Sequence, residues 1–368
     1  ETTITSWLDT GYTKITDGSS NYRAFVGRTK NAAPVPAAHR NKSIRFIKRS
    51  AGGSVWGVNP VARDEFVRVL DVKNTTGNCS VTAPRTCPLI GADGVAGLKP
   101  TFGVSDVSPK MFKSPLNVEW DKVAGTTVSQ LSATETNALT IEAANTLMMG
   151  IVATDVVPAT TNFTRSVYGD LLRSGGYADW SQVDPALTAP GGPLEAKPQV
   201  VVCRRVPGSG TQTSYNWFFG GFPCTLGAQV GAQHAEPKRM GDSAGFDIDG
   251  DGTPGDQSGA GGVQDGASKA TAYALDVTAG MTVIENLGSG NVRECMEKAQ
   301  NGGVYTFQDE TDKWFKVDFG TGGYGAVGVL SVDSLDSRPK SPAAPDACNA
   351  TTGQTVCGWS FRNLDGAG

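Results

Sequence analysis

The amino-acid sequence predicts an α/β fold with parallel sheets, because strand-like apolar runs alternate with helix-compatible segments along its 368 residues. This length is enough for two compact lobes, each with its own hydrophobic core. No apolar run approaches the roughly 20 residues that a membrane helix needs. The net charge of −4 argues against a general polyanion binder, and hence against nucleic acid, because such proteins usually carry a basic face.

The predicted elements follow in chain order. Residues 43–50 (SIRFIKRS) alternate apolar and polar positions, which predicts a strand, and a helix-compatible stretch follows them. Residues 100–109 (PTFGVSDVSP) are predicted as a second strand, and residues 136–156 as a helix or buried segment that runs into a strand. The later elements are a short helix and turn over 168–184, a strand over 198–206 leading into a helix, a helix over 290–300 and a strand over 324–332.

Paired cysteines in polar loops indicate an oxidising compartment. Cys79 and Cys87 close one short loop, and Cys348 and Cys357 close another. Both pairs are expected to form disulfides, with reduced surface thiols as the alternative. None of the seven cysteines lies in a CxxC motif, which excludes zinc-ribbon, thioredoxin and c-haem sites.

The other three cysteines allow a long-range pairing. Cys203 lies in the apolar run QVVVCRRV and is predicted to be a free residue of a core strand. Cys224 and Cys295 are then expected to pair across the fold. The chain begins with the polar segment ETTITSW without Met, as a processed mature protein would. We therefore expect an exported protein, periplasmic or extracellular.

The strongest functional signal is RRVPGSGT over residues 204–211, where a buried strand ends in arginine and a glycine-rich turn opens a helix. A helix start has unpaired backbone N–H groups and the positive end of the helix dipole, so it attracts anions. Ser209 and Thr211 add hydroxyl donors, and Arg205 can add a charged contact. The alternative is an ordinary strand–turn–helix unit with a serine or threonine cap.

Two further segments contribute candidate ligands. Asp106 ends the predicted strand FGVSD, and a carboxylate beside an anion is favourable when that anion keeps a proton to donate. Sulfate lacks such a proton and would be rejected. An Asx-turn before Pro109 is the alternative role. Ser54 follows a glycine pair in RSAGGS, after a strand, and offers another hydroxyl.

Together these motifs resemble the phosphate-binding solute receptors of ABC transporters. Strand–AGGS–helix, FGVSD and RxxGSGT occur in that chain order in the family, and LLRSGGYADWSQV, YGAVGVLS and FRNLDG resemble its later segments. The resemblance covers about residues 43–366 in pieces, with long unmatched insertions. It implies a two-lobed periplasmic-binding-protein-like fold, each lobe a mostly parallel sheet flanked by helices, with the ligand in the cleft.

By this resemblance, residues 1–112 form the first lobe and 113–358 the second, which contains a glycine-rich insertion over 227–269. Residues 359–368 begin the return to the first lobe. The ligand set comprises Ser54, Asp106, Arg205, Ser209, Gly210 and Thr211. Inorganic phosphate is bound without a functional cofactor, and the membrane subunits of an ABC transporter are the partner.

Both ends of the chain depart from the family. The opening segment lacks the family's strand and Gly-Ala-Thr-like turn, although Ser19 and Ser20 offer substitutes. The chain stops at LDGAG, where the family continues with a segment that completes the first lobe. A missing strand exposes a sheet edge, so the alternative function is an extracellular structural protein that self-assembles by strand exchange.

A separate acidic loop predicts a structural calcium site. Residues 247–256 read DIDGDGTPGD, and alternate carboxylates beside a glycine turn suit a hard cation with oxygen ligands. Position twelve of this loop is Ser258 rather than glutamate, so it is not an EF-hand; a solvated acidic loop is the alternative. The proposed ligands are Asp247, Asp249, Asp251 and Asp256.

No catalytic constellation is evident in the sequence, so a binding protein is expected rather than an enzyme. Ser209 lies in GSGT rather than in the GxSxG of a nucleophile elbow, and no histidine is an evident partner for it. A secreted phosphatase that uses the same anion pocket is a second alternative.

Overall fold

The structure is a computed structural model of the chain. It describes residues 2–18, 21–74, 77–114, 117–118, 120–121, 126–127, 130–171, 177, 179–222, 224, 266–278, 280–309, 313–335 and 358–366. Within these ranges, no helix is long and apolar enough to cross a membrane.

The chain divides into two compact units, and its mixture of helices and sheets confirms the α/β class. The smaller unit consists of Glu1–Ala51, Trp56–Val104 and Ala133–Thr140. The larger unit consists of Gly52–Val55, Ser105–Ser132 and Ile141–Gly368. The two-lobed receptor architecture stays a prediction.

The smaller unit is built on a four-stranded sheet of order β3-β2-β1-β5. Its helices are α1 (Thr2–Trp7), α2 (Asn59–Arg63) and α3 (Ala133–Asn137). Its strands are β1 (Thr13–Thr16), β2 (Tyr22–Arg28), β3 (Ser43–Arg49), β4 (Val69–Leu70), β5 (Arg85–Thr86) and β6 (Leu89–Ile90). The first three strands are antiparallel, and only β5 adds in parallel, so a mostly parallel sheet was a wrong prediction here.

One face of this sheet packs on a small core that contains the first disulfide. Ile15 and Ala24 are opposite each other on β1 and β2, and both are buried against Leu70. Cys79 and Cys87 belong to the same core and are bonded, which confirms their predicted pairing. A disulfide is valuable in a core of this size because little apolar area is available to stabilise it.

In its described residues the larger unit contains three sheets and the three remaining α-helices. Its helices are α4 (Arg165–Leu171), α5 (Gly210–Phe218) and α6 (Ser289–Asn301). Its strands are β7 (Trp120–Asp121), β8 (Thr126–Thr127), β9 (Met149–Thr154), β10 (Val201–Arg205), β11 (Tyr273–Leu275), β12 (Thr282–Asn286), β13 (Val304–Gln308), β14 (Trp314–Asp318), β15 (Ala326–Ser331) and β16 (Trp359–Phe361).

The main sheet has the order β12-β10-β15-β9-β16 and is mixed. β10 lies between β12 and β15 and is parallel to both, whereas β9 is antiparallel to its neighbours β15 and β16. All five residues of β10 are buried, as expected for a parallel strand covered on both faces. Separate hydrophobic clusters contain Trp359 and Trp180, both fully buried.

The second disulfide joins Cys203 on β10 to Cys295 on α6, so the predicted pairing of Cys224 with Cys295 was wrong. Cys224 is a free, exposed thiol. On α6, Cys295 is buried together with Val292 and Met296, and this apolar face packs on the sheet beside β10. Cys203 lies in the core, as its sequence predicts, but it is not free, because α6 packs over it and places Cys295 within bonding distance. Cys348 and Cys357 lie outside the described residues.

One other local prediction was wrong, and a second was right only in its strand, β9. Residues 100–109 form an irregular segment rather than a strand, ending in a 3₁₀ turn at Pro109–Met111. Of residues 136–156, only β9 is a strand, and the residues between α3 and β9 form neither helix nor strand. The predicted strands at β3, β10 and β15 and the helices α5 and α6 are confirmed.

Candidate anion-binding site

The candidate site lies in the larger unit, where two neighbouring parallel strands end. β10 and β12 pair with Arg205 opposite Asn286, their last residues. A helix follows each strand, α5 beginning at Gly210 and α6 at Ser289. In a parallel sheet such helix starts meet at the carboxyl edge, where the unpaired N–H groups and helix dipoles favour an anion.

The start of α5 is fixed by Ser209, which is fully buried. Its hydroxyl accepts a hydrogen bond from the Gln212 backbone N–H at 3.4 Å, so it caps the helix. This is the alternative role that its sequence allowed. The N–H groups of Gly210 and Thr211 precede the first intrahelical hydrogen bond, and they are the donors that this helix start can offer to a ligand.

A glycine-rich loop approaches the helix start from residues 52–55. The Val55 N–H donates to the Gly208 carbonyl at 2.9 Å. Gly53 has a φ of +90°, and a Cβ there would lie 2.6 Å from the Ser209 Cα. The neighbouring atoms are backbone, so only glycine allows this approach. The loop thereby holds Ser54 beside α5.

Gly53→Ala is therefore expected to lower the free energy of unfolding by about 1–3 kcal/mol, because it combines a positive φ with a clash against backbone. The measurement is chemical unfolding. Gly191→Ala is the matched control, since Gly191 has a φ of +79° but a Cβ at that position would have no neighbour within 4 Å. An equal loss in both variants would show that the close approach contributes nothing.

Asp106 lies directly over the helix start. The Ser54 hydroxyl donates to Asp106 Oδ2 at 3.2 Å, and the Thr211 hydroxyl reaches the same oxygen at 3.5 Å. A Cβ at Gly210 would lie 2.6 Å from Ser54 Oγ and 2.8 Å from Asp106 Cβ. Both hydroxyl distances exceed the 2.7–2.8 Å typical of this hydrogen bond, so the hydroxyls are held weakly and can turn to a ligand.

Arg205 supplies a buried positive charge, with only 7% of its surface exposed. Its guanidinium donates to the Asn286 and Leu287 carbonyls at 3.2 and 3.0 Å and to the Ser289 hydroxyl at 3.2 Å. Burial lowers the pKa of Arg205 to about 10, and the Asp106 charge opposes that shift. As far as the described residues show, the side chain is therefore a cation whose hydrogen-bond acceptors are neutral.

The neighbouring Arg204 has a different environment. It pairs with Glu285 at 3.6 Å and donates to the Arg205 carbonyl at 2.9 Å. Arg204 is thus neutralised within the sheet, whereas Arg205 points its charge toward the start of α6.

Sequence reasoning missed Ser289, which hydrogen-bonds Arg205 from the first residue of α6. A signal for it exists, because GSGN over 288–291 repeats the small-residue pattern of GSGT over 208–211. Both patterns follow a strand and open a helix. The repeat becomes meaningful only once β10 and β12 are known to be adjacent.

The structure brings all six predicted ligand residues into one part of the larger unit. The hydroxyls of Ser54 and Thr211 both reach Asp106, and a Cβ at Gly210 would meet Ser54 and Asp106. Ser209 caps the same helix, and Arg205 precedes it. Donors, one cation and one acceptor carboxylate together can bind a tetrahedral oxyanion that carries a proton. The predicted calcium loop lies outside the described residues. Among the residues described, no cluster of three or more His, Cys, Asp or Glu side chains is placed to hold a metal.

No protein-family model, no curated protein and no solved structure matches this chain. The resemblance to phosphate receptors accordingly rests on the short motifs and on the geometry of the residues that they contain.

Proposed function

We propose that this protein binds inorganic phosphate reversibly at the helix starts of α5 and α6. The ligand would accept hydrogen bonds from the backbone N–H groups of Gly210 and Thr211 and from the hydroxyls of Ser54 and Thr211. Asp106 would accept the proton of the phosphate. No covalent chemistry is required of any of these groups.

The observation that carries this proposal is the environment of Arg205. Its guanidinium is buried, and all of its hydrogen-bond acceptors are neutral oxygens in the described residues. A buried charge without a hydrogen-bonded counter-ion is costly, so a bound anion nearby would be strongly favoured. Two helix starts add to the same attraction.

Asp106 favours phosphate over other oxyanions. Near neutral pH phosphate retains at least one O–H that can donate to the carboxylate, whereas sulfate retains none and would meet an uncompensated repulsion. The approach of Asp106 to the hydroxyls of Ser54 and Thr211 supports this role.

The direct test is calorimetric titration of the phosphate-stripped protein with phosphate and, separately, with sulfate. We expect one-to-one binding of phosphate and no heat with sulfate. The absence of both heat and thermal stabilisation by phosphate would refute the proposal.

Asp106→Asn is expected to reduce the selectivity for phosphate over sulfate by about ten-fold or more, because an amide can donate to an unprotonated oxygen and carries no charge to repel it. The measurement is the ratio of the two dissociation constants. Asp64→Asn is the charge-matched control, since Asp64 is an exposed residue of the smaller unit that pairs with Lys99. Unchanged selectivity in Asp106→Asn would remove Asp106 from the site.

We also propose that the protein is exported and delivers phosphate to the membrane subunits of an ABC transporter. The two disulfides, Cys79–Cys87 and Cys203–Cys295, are typical of an oxidising compartment. A carrier should release its ligand unchanged. If the wild-type protein hydrolyses a chromogenic phosphate ester and Arg205→Gln does not, the phosphatase alternative is favoured instead.

A further inference from the structure

The strand β3 forms an open edge of the four-stranded sheet. Among the residues that the structure describes, it pairs with β2 alone. The Thr29 N–H donates to the Lys42 carbonyl, and the Ser50 N–H donates to the Asn21 carbonyl. In an antiparallel pair the backbone groups of successive residues point alternately toward and away from the partner strand, so those of residues 44, 46 and 48 point toward β2. The backbone groups of Arg45 and Ile47 therefore point away from the sheet. A seven-residue edge of this kind can accept another strand.

The segment 141–148 (IEAANTLM) is an exposed stretch of chain whose last residue, Met148, accepts a hydrogen bond from the Val332 N–H at 2.9 Å through its carbonyl. All eight residues are exposed, including Ile141 at 56%, Leu147 at 46% and Met148 at 69%. Over 141–147, no backbone group bonds to another backbone group within the described residues. Three large apolar side chains on an exposed segment are characteristic of a strand that docks elsewhere.

Charge is unevenly divided along the chain. The first 50 residues contain nine basic residues (Lys and Arg) and three acidic ones (Asp and Glu). The remaining 318 residues contain 23 basic and 33 acidic residues. On β3, Lys48 lies directly opposite Arg23 of β2. Burial lowers the pKa of Lys48, and the Arg23 charge lowers it further. A carboxylate arriving at β3 would relieve this repulsion.

We propose that residues 141–148 of one copy add as an antiparallel strand to the β3 edge of a second copy, with Glu142 opposite Lys48. In this register Ala143 pairs with Ile47, whose backbone groups point outward. Ile141, Ala143 and Leu147 then share the face of Ile47, which packs on the core of the smaller unit. The surface is heterologous, so repeated addition produces open-ended assemblies.

The first test is a charge exchange, read by sedimentation velocity of the full chain at increasing concentration and low salt. Wild type is expected to associate, and Lys48→Glu and Glu142→Lys are each expected to weaken association about ten-fold or more. The double variant should restore it. A wild-type protein that stays monomeric to about 100 μM, or a double variant that does not recover, would overturn the proposal.

The second test separates strand addition from general charge attraction. In the proposed register the N–H of Ala143 points toward β3 and that of Ala144 points away. Ala143→Pro should therefore abolish association, whereas Ala144→Pro should retain it, although both lie in the same exposed segment. Equal behaviour of the two variants would contradict strand addition.

This inference is independent of phosphate binding, because none of its residues belongs to the anion site. Both sedimentation tests are run with and without phosphate. If the protein binds phosphate but does not associate, only the proposal of strand addition has failed. If it associates but does not bind phosphate, only the proposed function has failed.

Discussion

Replacing Arg205 with glutamine is expected to weaken phosphate binding by about 100-fold or more. The change removes a buried cation that neither helix start nor any hydroxyl can replace, and losing one partner of a desolvated charged contact costs about 2–5 kcal/mol. Glutamine keeps hydrogen-bonding capacity and much of the volume. The measurement is calorimetric titration, supported by thermal unfolding without phosphate.

Arg165→Gln is the matched control for this variant. Arg165 is exposed and donates to the Phe218 carbonyl at the far end of α5, so its replacement changes the net charge equally without touching the site. Unaltered affinity in Arg205→Gln would rule out the proposed pocket. If Arg205→Gln does not fold, Ser289→Ala and Thr211→Val each remove one hydroxyl and are expected to weaken binding several-fold.

Removing the disulfide between Cys203 and Cys295 is expected to lower the free energy of unfolding of the larger unit by about 3–5 kcal/mol. The two residues are 92 positions apart, and closing so long a loop restricts the unfolded chain strongly. Phosphate affinity should fall as well, because the bond ties the strand that ends in Arg205 to the helix that begins with Ser289.

The measurement is chemical unfolding of the Cys203→Ala/Cys295→Ala variant, followed by the fluorescence of the buried Trp180 and Trp359 of the larger unit. Cys79→Ala/Cys87→Ala is the comparison. Its eight-residue separation predicts a smaller loss of about 2–3 kcal/mol, confined to the smaller unit. Cys224→Ser should change neither transition, since Cys224 is a free exposed thiol. An unchanged transition in the first variant would show that this bond does not stabilise the unit.

Local sequence was sufficient to predict the elements that carry the candidate anion site. The apolar run over 198–206 became β10, and GSGT became the cap and first turn of α5, because both depend on residues adjacent in the chain. The periodic apolar positions of 290–300 became α6 for the same reason. The paired cysteines of the loop 79–87 also needed no distant information.

Short strands without strong alternation were not predictable in this way. The polar first forty residues contain β1 and β2, which are stabilised by cross-strand neighbours rather than by their own composition. Conversely, residues 100–109 were predicted as a strand but have no strand partner in the described part of the chain, and they are irregular. Strand formation depends on pairing, which the sequence of one segment does not contain.

The amino-acid sequence alone was sufficient to single out the candidate anion ligands: Arg205, the helix start after it, and the hydroxyls and carboxylate of the two earlier motifs. The fold of the whole chain was needed to show that β12 lies beside β10, that Ser289 therefore meets Arg205, and that Cys295 bonds Cys203 rather than Cys224. The physical reason is distance along the chain. Helix caps and turns are fixed by neighbours, whereas strand order and helix packing bring together residues about 80 to 90 positions apart through burial of a shared core.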